Sequence, residues 1–246
     1  MDVLSKITAR QIIHYGVSEM LLTIMTCYTI AVALGHVPAW LPMISDCAVK
    51  PPEMYLFRLG VVFGASLLAL QAVTVYYANK ERPLSSLNAV LALVASISIG
   101  IVGVVNEKED DSVHSCMWIH NIVHIFAVLF FICYDVYMVL SVLTTITRKP
   151  SNCTGFGLTI AVSSFIIKTI CAIIGVITGT GYTLGIFSFI SVGGSIALAM
   201  ANTFTIMGFI WSYLLDNFLT GVDIFEVRVS SEKDSEKPQE MNKLLP

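Results

Sequence analysis

The sequence predicts an all-α membrane protein, a polytopic bundle of six transmembrane helices with both termini in the cytosol. Three observations predict it. Six apolar runs separated by polar loops each reach the roughly 20 residues that cross about 30 Å of hydrocarbon as a helix. Of 246 residues, 56% are hydrophobic and 13% charged, with a mean hydropathy of +0.79, which leaves no room for a soluble catalytic domain. Lys and Arg gather in alternate loops. A backbone in lipid must satisfy its own hydrogen bonds, so apolar runs of this length become helices.

The first run, Ile12–Leu34, follows Lys6 and Arg10 and resembles a signal peptide at its start. It outlasts an h-region and ends without a small-residue cleavage pattern, so it reads as an uncleaved helix. Met54–Ala78 and Leu84–Val105 are the second and third, the latter with Ala92, Ser96 and Gly100 at four-residue spacing. Met117–Leu143 is the fourth. Phe156–Thr178 is the fifth, and Gly179–Thr183 reads as a tight turn into the sixth, Leu184–Leu215. That last run is about 48 Å long at helical rise, so it must tilt or protrude. Gly175 with Gly179, and Gly193 with Ala197 and Ala201, are further small-residue faces that let backbones approach in lipid. Residues 1–216 thus form the bundle and 217–246 a tail.

The basic residues orient it. Lys6, Arg10, Lys80, Arg82, Arg148, Lys149, Arg228, Lys233, Lys237 and Lys243 share one side, against Lys50 and Lys108 on the other. The positive-inside rule puts the first set, and both termini, in the cytosol. Cys47 and Cys116 then fall on the outer side, where oxidising conditions permit a disulfide between the first and third loops; two unpaired thiols are the alternative. The sequon at Asn152 falls on the cytosolic side and is expected to be unused.

Charges within spans are costly and therefore informative. Asp135 and Lys168, counted from their shared cytosolic loop, lie about 15 and 20 Å deep, which suggests an ion pair that sets helix register. Glu19 is expected to snorkel to the cytosolic surface. Near the outer face, Arg58, His120, Asn121 and His124 form a polar cluster in which Arg58 pairs with Asp46 or Glu53. His120 and His124 stand one turn apart, a spacing zinc accepts, but no third ligand shares their helix. We therefore expect no metal site and no cofactor. A net charge of −3 gives no basis for nucleic-acid binding.

The first outer loop carries Pro42, Ile44, Ser45 and Asp46, then Pro52, Glu53 and Phe57. This pattern resembles the loop signature of the Frag/DRAM/Sfk family, which includes a GPI-lipid-remodelling factor and the CWH-type N-terminal region. His120-Asn121 and the stretch from Gly208 to Ser230 are similar to relatives as well. The resemblance is closest to the DRAM branch, and it implies six helices, a lysosomal membrane and promotion of autophagy. For other branches it implies phosphoinositide regulation and lipid asymmetry at the plasma membrane, or GPI-anchor remodelling in the Golgi. No catalytic residue is carried over.

Glu240, Leu244 and Leu245 fit the acidic dileucine pattern that clathrin adaptors read on cytosolic tails. The bland alternative is a solvated, charged tail. The resulting expectation is a non-enzymatic, multi-pass protein of endolysosomal membranes that modulates autophagy or lysosome function through lipid or protein contacts. The alternative is a lipid-remodelling factor of the outer leaflet working through His120, His124 and Asp46. A conduit built on Asp135 and Lys168 ranks last, for want of an internal repeat.

Overall fold

The computed structural model describes residues 9–40, 42–80, 82–105, 115–146, 156–186 and 189–220, without the side chains of 9, 78, 115–121, 156–158, 186 and 217–220. Helices α1 (Ala9–Ala33), α2 (Glu53–Ala78), α3 (Ser85–Val104), α4 (Ser115–Ile146), α5 (Phe156–Ile186) and α6 (Val192–Thr220) are joined by loops, with one 3₁₀ turn at Asp46–Ala48. The described residues contain no strand. All six helices are long and apolar enough to cross a membrane. The fold is all-α, as the sequence predicts. The end of the bundle that carries residues 34–52 is called the loop end below, and the opposite one the tail end.

Each helix packs on its neighbour in sequence, and α6 returns to α1, which closes a ring. Its centre is a cluster built on Ile13, Phe130, Tyr134, Met138 and Phe209. Aromatic edges meet faces there: Phe131 and Tyr182 at 5.3 Å and 77°, Phe209 and Tyr213 at 5.5 Å and 85°. Such tilted pairs add to burial because ring edges are positive and ring faces negative. Ile166, Ile170, Ile173 and Ile177 of α5 point outward and are exposed. In a bilayer such a face meets acyl chains, so its exposure carries no penalty.

One boundary departs from expectation. The stretch Gly179–Thr183 is not a turn; α5 runs through it to Ile186, and α6 starts at Val192 rather than Leu184. The glycines explain why. Gly179 faces Asp135 and Asn202, Gly181 faces Leu198 and Gly185 faces Ser195. Their missing side chains admit neighbouring helices instead of bending the chain. The proposed stripe on α6 also shifts: Gly193, Ala197 and Ala201 are exposed, while Ser195, Ala199, Asn202 and Ile206 are buried.

Candidate functional site

The first loop is held down at several points, and the hold begins at the end of α1. Gly35 adopts φ +71°, a left-handed conformation natural to glycine. With it, the His36 N–H donates to Ala31 O at 2.8 Å and the Gly35 N–H to Val32 O at 3.1 Å. This is a Schellman cap, which satisfies the last carbonyls of the helix and reverses the chain. The reversal sets His36 against the first turn of α2, where its Nδ1 meets Glu53 Oε1. Glu53 is only 1% exposed. It is the first residue of α2, and the N–H groups of Met54 and Tyr55 that follow it donate to Lys50 O at 2.9 Å and Pro52 O at 3.1 Å.

Further contacts fasten the rest. The Tyr28 hydroxyl donates to Ala39 O at 2.7 Å, and the Cys27 thiol to Glu53 O at 3.5 Å. Asp46 Oδ2 accepts the Met43 N–H at 3.2 Å as the 3₁₀ turn begins. Beneath them Cys27, Ala31, Cys47, Phe57 and Val61 form a small apolar cluster. Burial, and then the Asp46 charge, push the Cys47 thiol up to about 11. It is a packing group at neutral pH rather than a nucleophile. Trp40 projects from the loop, 84% exposed, where an aromatic suits a membrane–water interface.

The signature residues are thus brought together. Pro42, Glu53 and Phe57 are buried, Ile44 and Ser45 half-buried, Asp46 and Pro52 exposed. Arg58 does not pair with Glu53, which takes His36 instead. It lines a small recess with Ser45, Ala48, Phe57 and Val102. His124 is half-buried, whereas the side chains of His120, Asn121 and Cys116 lie outside the described residues, as do Glu240, Leu244 and Leu245. The Cys47–Cys116 bridge therefore has only one end in view. Among the described residues no three His, Cys, Asp or Glu side chains converge as metal ligands.

The Asp135–Lys168 pair is not formed. Lys168 Nζ donates to Asp216 Oδ2 and sits 4.1 Å from the Tyr213 ring centroid. Ser164 Oγ donates to the other oxygen of Asp216 at 2.7 Å. Asp135 Oδ2 accepts from Asn202 Nδ2 at 3.2 Å, beside Gly175 and Gly179. Among the described residues, Asp135 Oδ1 and Asn202 Oδ1 have no hydrogen-bond partner. Counts from the loop mislead here because α4 and α5 are offset. Asp135 packs seven residues or more beyond Lys168 on α5, about 10 Å, and the lysine reaches the other way. Glu19 does not snorkel either. It accepts from Thr23 Oγ1 at 2.9 Å, and its Oε2 is buried against Gly64.

Sequence reasoning missed His36, Asn202 and Asp216. Gly35-His36 after an apolar run was a helix-stop signal that places His36 at a helix end. Asp216 was an acid at the close of the last span, within reach of a lysine that snorkels. Asn202 stands alone in its span and offered no such signal.

A cavity of about 150 Å³ runs through the ring, lined by Val17, Val61, Leu68, Phe130, Ala199 and Met207 among others. Met43, Ile44 and Ser45 of the first loop line its loop end. The clamp and the cavity are thus one construction: the contacts that fasten the loop also place its apolar residues over the slot.

Removal of His36 tests the clamp. Among the described residues Glu53 Oε2 already lacks a hydrogen-bond partner, so His36→Ala leaves a buried carboxylate with neither oxygen paired. A loss of about 2 kcal/mol is expected, of the size found when a buried charged group loses its partner. Hydrogen exchange should quicken over residues 36–52 and little elsewhere. Unchanged exchange there would mean that the His36–Glu53 contact holds nothing.

Comparison with known proteins gives a consistent picture. A family model described as the Frag1/DRAM/Sfk1/Cwh43P N-terminal domain matches residues 15–220. DNA damage-regulated autophagy modulator protein 1 of Xenopus laevis is 30% identical over 122 residues, 46% of this chain and 47% of that protein. Its Mus musculus counterpart is 34% identical over 77 residues, 31% of this chain and 32% of that protein. The chain thus covers less than half the length of the curated relatives it matches. No solved structure matches.

Proposed function

We propose that this chain, which belongs to the Frag1/DRAM/Sfk1/Cwh43P N-terminal domain family, is a DRAM-like protein of endolysosomal membranes. It modulates autophagy or lysosome function through lipid or protein contacts and performs no catalysis itself. Its termini face the cytosol, so that the clamped loop faces the lumen. The observation that carries the reading is the fixed first loop over an apolar interior, on a chain similar to proteins named autophagy modulators. The described part of this site offers a buried carboxylate held by an imidazole, a protonated thiol and apolar walls, which suit contact and not bond cleavage. The dileucine end, Glu240 with Leu244 and Leu245, supports the compartment through adaptor capture.

The experiment is to follow a tagged full-length chain and its Leu244→Ala/Leu245→Ala variant in cells. The parent is expected on endolysosomes and the variant at the cell surface. Knockout cells should show reduced turnover of a lipidated autophagosome marker, restored by the parent. A chain that resides at the surface regardless of Leu244 and Leu245, in cells with normal turnover, overturns the reading. Altered GPI-anchor lipids in the knockout would favour the remodelling factor instead.

A further inference from the structure

We infer that the slot holds one acyl chain of a membrane phospholipid whose phosphate sits at Arg58. Four observations lead there. The first is length. Along α2 the lining runs from Phe57 to Gln71, about 21 Å at helical rise. One leaflet of hydrocarbon is about 15 Å thick, half of the bilayer core, so a whole acyl chain fits.

The second is the character of the walls. Val17, Val61, Leu68, Phe130 and Met207 are apolar, and few polar groups such as Ser45, Gln71 and Thr203 reach the space. Water needs two or more polar partners to stay in a cavity, and apolar cavities of this size stay dry. An empty space costs stability in proportion to its volume, because its lining atoms lose contacts. The third is the medium. A six-span bundle is bathed in acyl chains, so the occupant is at hand.

The fourth observation selects the headgroup. Arg58 is half-buried in the recess at the loop end, and this recess shares Ser45, Phe57 and Val102 with the slot. The nearby acid, Glu53, is taken by His36. No described residue hydrogen-bonds or ion-pairs with the Arg58 guanidinium, while its five donors match a phosphate in two-point geometry. A cation beside the mouth of an apolar slot complements a phospholipid in charge as well as shape. A sterol, with a single neutral hydroxyl, offers Arg58 one acceptor and no charge to pair with.

This deepens the lipid-contact part of the proposed function and rests on it. The test reads purified protein, whereas organelle and turnover assays read cells, so either can fail alone. The full-length chain is reconstituted in phosphatidylcholine nanodiscs that contain phosphatidylcholine with a diazirine in one acyl chain. After illumination, labelled peptides are mapped. Labelling is expected on slot-lining segments of α2 and α6. Ala199→Phe, and the milder Ala127→Leu from the α4 wall, should each remove slot labels and spare those on the outer faces. Arg58→Gln should lower slot labelling about tenfold at limiting probe, the loss expected for one charge-assisted contact. Two variants on separate helices, each checked for an unchanged melting transition, keep a folding defect from standing in for a filled slot. Three results would overturn the inference. They are labels confined to outer faces, slot labels indifferent to Arg58→Gln, and slot labelling by diazirine cholesterol but not by the phospholipid.

Discussion

Asp216→Ala is expected to cost the folded protein about 3–5 kcal/mol, the range for a buried ion pair that loses one member. The reason is an asymmetry of burial. Lys168 is 2% exposed and Asp216 28%, so the base lies in the interior and the acid near the end of α6. Without Asp216 the ammonium keeps its contact with the Tyr213 ring. A ring face is worth about 2 kcal/mol when desolvated and does not replace a carboxylate. Lys168→Met should be milder, because Asp216 retains the Ser164 hydroxyl and some access to solvent. The double variant Lys168→Met/Asp216→Leu should recover most of the loss, since apolar residues of similar volume often match a buried pair. Unfolding of the four proteins in one detergent completes the cycle. Additive losses in the double variant would show that the two side chains do not interact.

Gly179→Ala should be nearly as damaging, at about 3 kcal/mol or more. A Cβ there would run into the Asp135 carboxylate, with Asn202 Nδ2 at 2.9 Å and Asp135 Cγ at 3.2 Å. Overpacking alone costs about 1–3 kcal/mol. The Asn202–Asp135 hydrogen bond must break as well, and a buried polar group left unpaired adds about 1–3 kcal/mol. Gly193→Ala is the control. Nothing lies within 4 Å of that position, so this change should be neutral or slightly stabilising through helix propensity. Comparable melting temperatures for the two variants would contradict the α4–α5–α6 packing described above.

These two glycines also show what was legible in the sequence. Runs of apolar residues near bilayer length marked all six helices, because lipid leaves the backbone no other conformation. Where a helix ended among glycines, hydropathy had no answer. Gly179, Gly181 and Gly185 suit a turn by residue type, and only the partners across the interface reveal them as contact points. The same limit applied to Gly193, Ala197 and Ala201, whose spacing is right but whose face is outward. In the site, the loop signature drew attention to Glu53 and Phe57, both of which the structure buries. Its partner His36 stands seventeen residues away across a turn, a separation that no local pattern bridges. Asp135 and Lys168 were placed by counting along each helix from their shared loop. The offset between α4 and α5 was the missing quantity, and packing decides it.

The sixth helix brings what two earlier ones need. Asn202 answers Asp135 on α4, and Asp216 answers Lys168 on α5. A chain truncated before α6 therefore carries an acid and a base inside the membrane without the groups that complement them, a costly state. Cellular surveillance of unassembled membrane segments would have, in those two residues, a direct reading of whether α6 has joined the bundle.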